Sequence, residues 1–261
     1  MIMKKGQILM SGIVLLTAAV TMTSCVDIRR EHTLFGTSSI TEQRGLKGFE
    51  EIEISGSPTV YYTQADHFSV VLKGSESQVK DIITEMDGKT LVIRNKRKFG
   101  VFNVQLGDDD LSIHVTSPDI TSIRLNGSGD FISRGLIDSD NMDILLRGSG
   151  DVQVKDLICD RCHVELIGSG DLDVSRLEAQ EVSAMLVGSG DMNLGLLKVD
   201  DTSLQLKGSG DIDAAFNEGC GSVDCELRGS GDITLEGTVR RFSQHTNGSG
   251  SVDIDKLSIQ Q

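Results

Sequence analysis

Gly-Ser-Gly recurs seven times in the second half of the chain, starting at Gly127, Gly148, Gly168, Gly188, Gly208, Gly229 and Gly248. Successive copies lie 21, 20, 20, 20, 21 and 19 residues apart. Such a period marks a stacked array, because one unit of about 20 residues cannot bury an apolar face alone. In six copies the next residue is aspartate (Asp130, Asp151, Asp171, Asp191, Asp211, Asp232), and in the seventh it is Ser251.

Aligned on the first glycine, the copies alternate with period two. Two residues before it stand Leu125, Leu146, Leu166, Leu186, Leu206, Leu227 and Thr246; four before it stand Ile123, Ile144, Val164, Ala184, Leu204, Cys225 and Gln244. Five before it every residue is polar, from Ser122 to Ser243. Four after it stand Phe131, Val152, Leu172, Met192, Ile212, Ile233 and Val252, and six after it Ser133, Val154, Val174, Leu194, Ala214, Leu235 and Ile254. Period-two alternation is strand logic, with even offsets pointing inward and odd ones outward. A third side is expected to follow, led by Leu136, Leu157, Leu177, Leu197 and Leu257, with Phe216 substituting near Asn217.

Stacking turns each aligned position into an internal ladder and gives each strand a parallel partner one copy away. The expected fold is all-β: a single-stranded, right-handed parallel β-helix of roughly triangular coils with an irregular N-terminal cap. The hand follows from the rule for crossovers between parallel strands. Glycine at both even offsets of the motif leaves nothing to fill the interior there and permits a positive φ, so Gly-Ser-Gly reads as a sharp bend.

Residues 45–126 carry strand-like runs without the full motif: Phe49–Ile54, Thr59–Thr63, Phe68–Lys73, Thr90–Arg94 and Leu111–Thr116. Ser55-Gly56-Ser57-Pro58 resembles a degenerate copy, Val79–Ile83 a short helix and Asp87-Gly88 a hairpin turn. The region reads as cap and first coils, continuous with the repeats of 127–261. A solenoid needs such caps, because an open end exposes apolar ladder and unpaired strand edges.

At the N-terminus, Lys4 and Lys5 precede an apolar run, Ile8 to Val20, and then Met22-Thr23-Ser24-Cys25. The run is too short to span a bilayer and reads as a secretory signal over 1–24. A small residue before a cysteine at this point resembles a bacterial lipobox, so Cys25 is the expected lipidation site and membrane anchor. Simple cleavage or a retained anchor are the alternatives. Residues 25–44 lack apolar periodicity and read as a tether.

The formal charge is −14, and loss of residues 1–24, which hold two lysines and no acid, takes it to about −16. A nucleic-acid partner is therefore not expected. There is no Trp and aromatic residues are 4%, which weakens any case for a stacking platform.

The stretch FEEIEISGSPTVYYTQ, then DGKTLVIRNK, then SPDITSIRLNGSGD followed by repeated GSGD resembles the "putative auto-transporter adhesin, head GIN domain" family, from about Phe49 to Leu257. The resemblance implies an outer-membrane or envelope lipoprotein with a right-handed β-helix fold, on the periplasmic or the surface side, and implies no catalytic residues.

Six stacked carboxylates, Asp130 through Asp232, would repel by about 0.9 kcal/mol per neighbouring pair at about 4.8 Å in water. The simplest offset is local, each carboxylate accepting an N–H of its own turn as in an Asx-turn. A Ca²⁺ ladder bridging coils is the sharper reading, although the Ca²⁺-binding β-roll repeat is shorter; no other cofactor is expected. Asp173, Asp213 and Asp253, with Gln153 and Asn193, form a second polar column. Paired carboxylates could suggest glycoside hydrolysis. Yet an active site is a local irregularity, and no His, Arg or Lys converges on this regular column.

Lipidation of Cys25 leaves Cys159, Cys162, Cys220 and Cys225. The two groups lie three coils, about 14 Å, apart, too far for one zinc site. Cys225 stands at an inward position, and Cys159–Cys162 could form a disulfide. Arg94 to Lys98 reads as a solvated basic loop. The expected function is a non-catalytic envelope binding or adhesion module that meets an unidentified glycan or protein ligand through its acidic face. The alternatives are a structural partner docking through a coil end and, behind it, a polysaccharide-active enzyme.

Overall fold

The structure, a computed structural model, describes residues 27–30, 39–96 and 111–260. Its strands coil into a parallel β-helix. The first side stacks Thr90–Asn95, Glu51–Gly56, Ser122–Gly127, Asn141–Gly148, Arg161–Gly168, Glu181–Gly188 and Asp201–Gly208. The later halves of the long strands Asp211–Gly229 and Ile233–Gly248 complete it. The second side stacks Ser112–Ser117, Thr59–Gln64, Asp130–Asp138, Asp151–Ile158, Asp171–Glu178 and Asp191–Leu197. The early halves of the two long strands follow, and then Val252–Ile259.

Ladder positions pair one coil apart, as the aligned sequence requires. Leu146, Leu166, Leu186 and Leu206 pair in succession and are fully buried. The same holds for Val152, Leu172, Met192 and Ile212. Burial of these columns, at about 25 cal/mol per Å² of apolar surface, is the main stabilising term.

Each coil has two further corners besides the Gly-Ser-Gly bend. Both show as breaks in the alternation: Val154 and Leu157 are both inward, as are Cys159 and Cys162. The third side thus runs between them, and its ladder corrects two expected positions. Leu136 is 47% exposed, and Ile137 pairs with Leu157 instead. The coil from Gly127 has one extra residue, absorbed as a bulge between Ser133 and Leu136. Leu197 also yields the ladder place, because Leu177 pairs with Leu196, which pairs with Phe216. Here Gly195 turns the corner alone, and Lys198, at φ 53°, restores the count.

The Gly-Ser-Gly corner has a tighter reason for glycine than the missing interior space. The first glycine holds φ between +138° and +147° in all seven copies. A Cβ on Gly168 would sit 1.9 Å from the carbonyl oxygen of Gly148 directly beneath it. The Ser169 N–H donates to that same oxygen at 2.9 Å, so backbone meets backbone at this edge with no side-chain freedom to relieve a clash.

The cap is built out of chain order. Glu51–Gly56 lies between Thr90–Asn95 and Ser122–Gly127, so the coil formed first is sandwiched between two formed later. Ser55-Gly56-Ser57-Pro58 is a true copy of the corner: Gly56 (φ 105°) pairs with Gly127, and Asp130 with Thr59. Glu51 clamps this insertion, accepting from Arg124 Nη1 at 2.7 Å above and Thr90 Oγ1 at 2.8 Å below. The hairpin turn at Gly88 joins Ile82–Asp87 to Thr90–Asn95. The short helix is Glu76–Asp81, capped by Ser75 and Gln78, so Ile82 and Ile83 belong to the next strand instead. Of the basic run Arg94 to Lys98, Arg94 closes the expected strand-like run and, with Asn95, lies in strand Thr90–Asn95, where it pairs with Glu85 at 2.9 Å; residues 97 and 98 lie outside the described residues.

The described parts of the segment expected as a tether, 25–44, are strands. Ser39–Arg44 forms a strand antiparallel to Ser69–Ser75, which is itself antiparallel to Ser112–Ser117, and Asp27–Arg30 pairs with it. Its inward residues are Ile40 and Glu42, the latter paired with Arg44 at 2.9 Å. A charged residue at an inward position hides the alternation.

Candidate functional site

The second side carries the candidate residues, because its outward positions are the odd offsets after each glycine. Three columns stand next to one another there. The first is the aspartate row, Asp130 to Asp232. The second runs His114, Tyr61, Ile132, Gln153, Asp173, Asn193, Asp213, Thr234, Asp253. The third includes Arg134, Lys155, Ser175, Gly195, Ala215 and Glu236.

Hydrogen bonds in the aspartate row run between coils, which corrects the expectation of Asx-turns closed within one coil. Asp151 Oδ1 accepts the Asp171 N–H at 3.1 Å, and Asp211 Oδ1 accepts the Asp232 N–H at 2.9 Å. Asp232 Oδ1 accepts both the N–H and the Oγ–H of Ser251 at 2.8 Å, and these bonds hold its carboxyl below the usual range. At the cap, Thr59 Oγ1 donates to Asp130 Oδ2 at 2.8 Å. A carboxylate facing the next coil's N–H thus offsets part of the like-charge repulsion. Among the described residues, no three His, Cys, Asp or Glu side chains converge as a metal-ligand set.

The neighbouring column is less engaged. Asp173 Oδ1 accepts the Ser175 hydroxyl at 2.7 Å. The side chains of Gln153, Asn193 and Asp213 make no hydrogen bond or ion pair among the described residues. Two adjoining hollows of about 390 and 420 Å³ open over this column and share Asp173 and Ser175. They exist because the small Ser175, Gly195 and Ala215 lie between longer residues, Arg134 and Lys155 at one end and Glu236 and Lys256 at the other. Where the groove meets the cap its column turns apolar, with Ile132 beside Tyr61, whose ring stacks on His114 at 5.2 Å and 18°.

The four described cysteines are unpaired, buried thiols. Cys159 and Cys162 meet across a corner; the hydrogen bond that Cys162 donates to Cys159, together with full burial, holds the Cys162 thiol well above its usual value. No disulfide joins them. Cys225 is fully buried in the ladder between Leu204 and Gln244, and burial pushes its thiol up to about 12. Cys25 lies outside the described residues.

The profile of the family described as "Putative auto-transporter adhesin, head GIN domain" matches residues 48–220. The chain belongs to this family. The match covers most of the cap and five of the seven Gly-Ser-Gly corners. Among solved structures, a putative adhesin from Bacteroides fragilis is 27% identical, with a TM-score of 0.74 over 82% of this chain and 96% of that one. A putative adhesin from Parabacteroides distasonis, at 17% identity and a TM-score of 0.66, covers 82% and 96%. A protein from the same organism titled a putative lipid binding protein has the same fold, at 23% identity and a TM-score of 0.62, over 85% and 97%. No curated protein matches the chain. The family and the structures named here are described as adhesins or binding proteins, not as enzymes, and an adhesin family suggests a surface- or envelope-associated protein.

Sequence reasoning located both polar columns but not the hollow. The hollow depends on Gly195 and Ala215 standing where the coils at either end have Arg134, Lys155 and Glu236. Their smallness is visible in the sequence, but the shared outward column is fixed only once the corner register is known.

Proposed function

We propose that this protein is a non-catalytic adhesion module of the cell envelope, tethered to the outer membrane by a lipid on Cys25, that binds its ligand through the outward face of the second side. The observation that carries this reading is the polar column of Gln153, Asn193 and Asp213, whose hydrogen-bonding capacity is unspent within the protein. A face built from identical strands at a constant step suits an extended ligand better than a compact one. Asp130, Asp151, Asp171, Asp191, Asp211 and Asp232 form its rim, and four of them, Asp130, Asp151, Asp211 and Asp232, are committed to coil-to-coil bonds. Family membership supports adhesion.

The test is adhesion of the purified protein to host extracellular matrix and to bacterial surfaces. Alanine substitution of Asn193 and Asp213 should abolish it, whereas Gln205→Ala on the first side should not. Equal adhesion by both variants would remove the face from the account. The anchor is tested separately: Cys25→Ser should release the protein from the membrane fraction and eliminate palmitate labelling.

A second reading, docking through a coil end, has its own observation. Among the described residues, the N-terminal end is covered by antiparallel strands, while the last coil leaves Phe242, Val252, Ile254 and Leu257 only partly buried and Ile259 48% exposed. Ile254→Lys would weaken such docking and leave face-dependent adhesion intact.

A further inference from the structure

We infer that the groove over Asp173, Asn193 and Asp213 binds an extended, neutral β-linked glycan, laid along the solenoid axis across successive coils. The inference rests on the reading of the second side as the binding face and specifies its ligand.

Spacing selects the polymer. The groove repeats once per coil, at the inter-strand step of about 4.8 Å. An extended peptide advances about 3.3 Å per residue and presents like side chains every second residue, about 6.6 Å, so it loses register after one or two coils. One pyranose unit of an extended β-linked chain is close to one coil step in length. Successive units of such a chain turn over, so like faces recur every second coil, as the side chains do: Gln153 and Asn193 alternate with Asp173 and Asp213.

Chemistry selects a neutral sugar. Asp173 and Asp213 are acceptors only, and Gln153 and Asn193 both donate and accept, a set that matches vicinal hydroxyl pairs, which do both. The carboxylates of Asp151, Asp171, Asp173 and Asp213 repel phosphate, sulfate and uronate chains. A lipid acyl chain would leave these groups desolvated without partners, at about 1–3 kcal/mol each. The floor of Ser175, Gly195 and Ala215 gives a sugar ring room to approach the sheet, and Gly195 has a structural reason to stay small. A Cβ there would lie 2.1 Å from the Ser175 carbonyl oxygen. Lys155 and Arg134 bracket one end and Glu236 and Lys256 the other, which limits the site to the coils between.

The experiment is calorimetric titration of the purified protein with four neutral β-1,4-linked hexasaccharides, those of glucose, mannose, xylose and N-acetylglucosamine. At least one is expected to bind, with affinity reduced tenfold or more by the Asn193→Ala, Asp213→Ala double variant and by Ser175→Arg, which fills the floor. Gln205→Ala should bind like the wild type, and circular dichroism checks that all variants are folded. Binding of none of the four, or equal binding by the groove variants, overturns the inference. The adhesion assay separates the two levels. If adhesion falls in the double variant while no hexasaccharide binds, the face stands and the glycan does not.

Discussion

Replacing Gly168 by alanine tests the coil corner. Its Cβ would lie 1.9 Å from the Gly148 carbonyl oxygen, where real contacts stay beyond 3.0 Å, so the two coils must separate by about 1 Å. The Ser169 N–H bond to the same oxygen, 2.9 Å long, would then stretch to about 4 Å and be lost. That loss costs about 1 kcal/mol. A non-glycine residue at φ +144° adds about 1–3 kcal/mol of backbone strain. With the residual steric overlap the sum is about 4 kcal/mol or more, which corresponds to about 8–16 °C in melting temperature for a chain of this size. Ser169→Ala, one residue away on an exposed side chain, should shift it by less than about 2 °C. Thermal unfolding followed by circular dichroism reads both. A Gly168→Ala protein that melts within 2 °C of the wild type would refute the argument that these glycines are fixed by coil-to-coil backbone contact.

Ile137→Ala should cost about 2–4 kcal/mol and Leu136→Ala less than about 1, measured by urea unfolding; the reverse order would put the bulge in the wrong place. Glu51 has its carboxyl held below the ordinary value of 4.5, first by the hydrogen bond from Arg124 and then by that from Thr90. Its contribution is therefore present above the unfolded pKa and lost as pH falls through the lower folded value. Glu51→Gln should be less stable than wild type at pH 7, with the gap closing below pH 4.5; a pH-independent gap would exclude the charge as its source. Calcium at millimolar concentration should leave the melting temperature unchanged, because Asp151, Asp211 and Asp232 already accept from the next coil, and a rise would indicate a bridging cation.

The sequence spelled out what repeats and concealed what breaks the repeat. The ladders from Leu146 to Leu206 and from Val152 to Ile212 are legible because parallel stacking puts equivalent residues in contact, so periodicity and contact coincide. At Leu136 and Leu197 the side is right and the register is off by one, since one extra or missing corner residue changes phase without changing composition. The cap order is not legible at all: nothing in Thr90–Asn95 says that it lies beneath Glu51–Gly56 rather than above it. The aspartate row is visible, but its bonding is not. An Asp beside a turn N–H and an Asp beneath the next coil's N–H have the same sequence. The hollow follows the same rule, arising where Gly195 and Ala215 interrupt a column of longer side chains.

Distances between spin labels on the exposed serines of the Gly-Ser-Gly corners test the stacking most directly. With one label fixed at Ser149 and the second moved from Ser189 to Ser209 to Ser230, the separation should grow by about 4.8 Å per coil, with one narrow distribution each time. Separations that do not increase linearly, or that split into several populations, would contradict the coiled stack, and the binding face would fall with it.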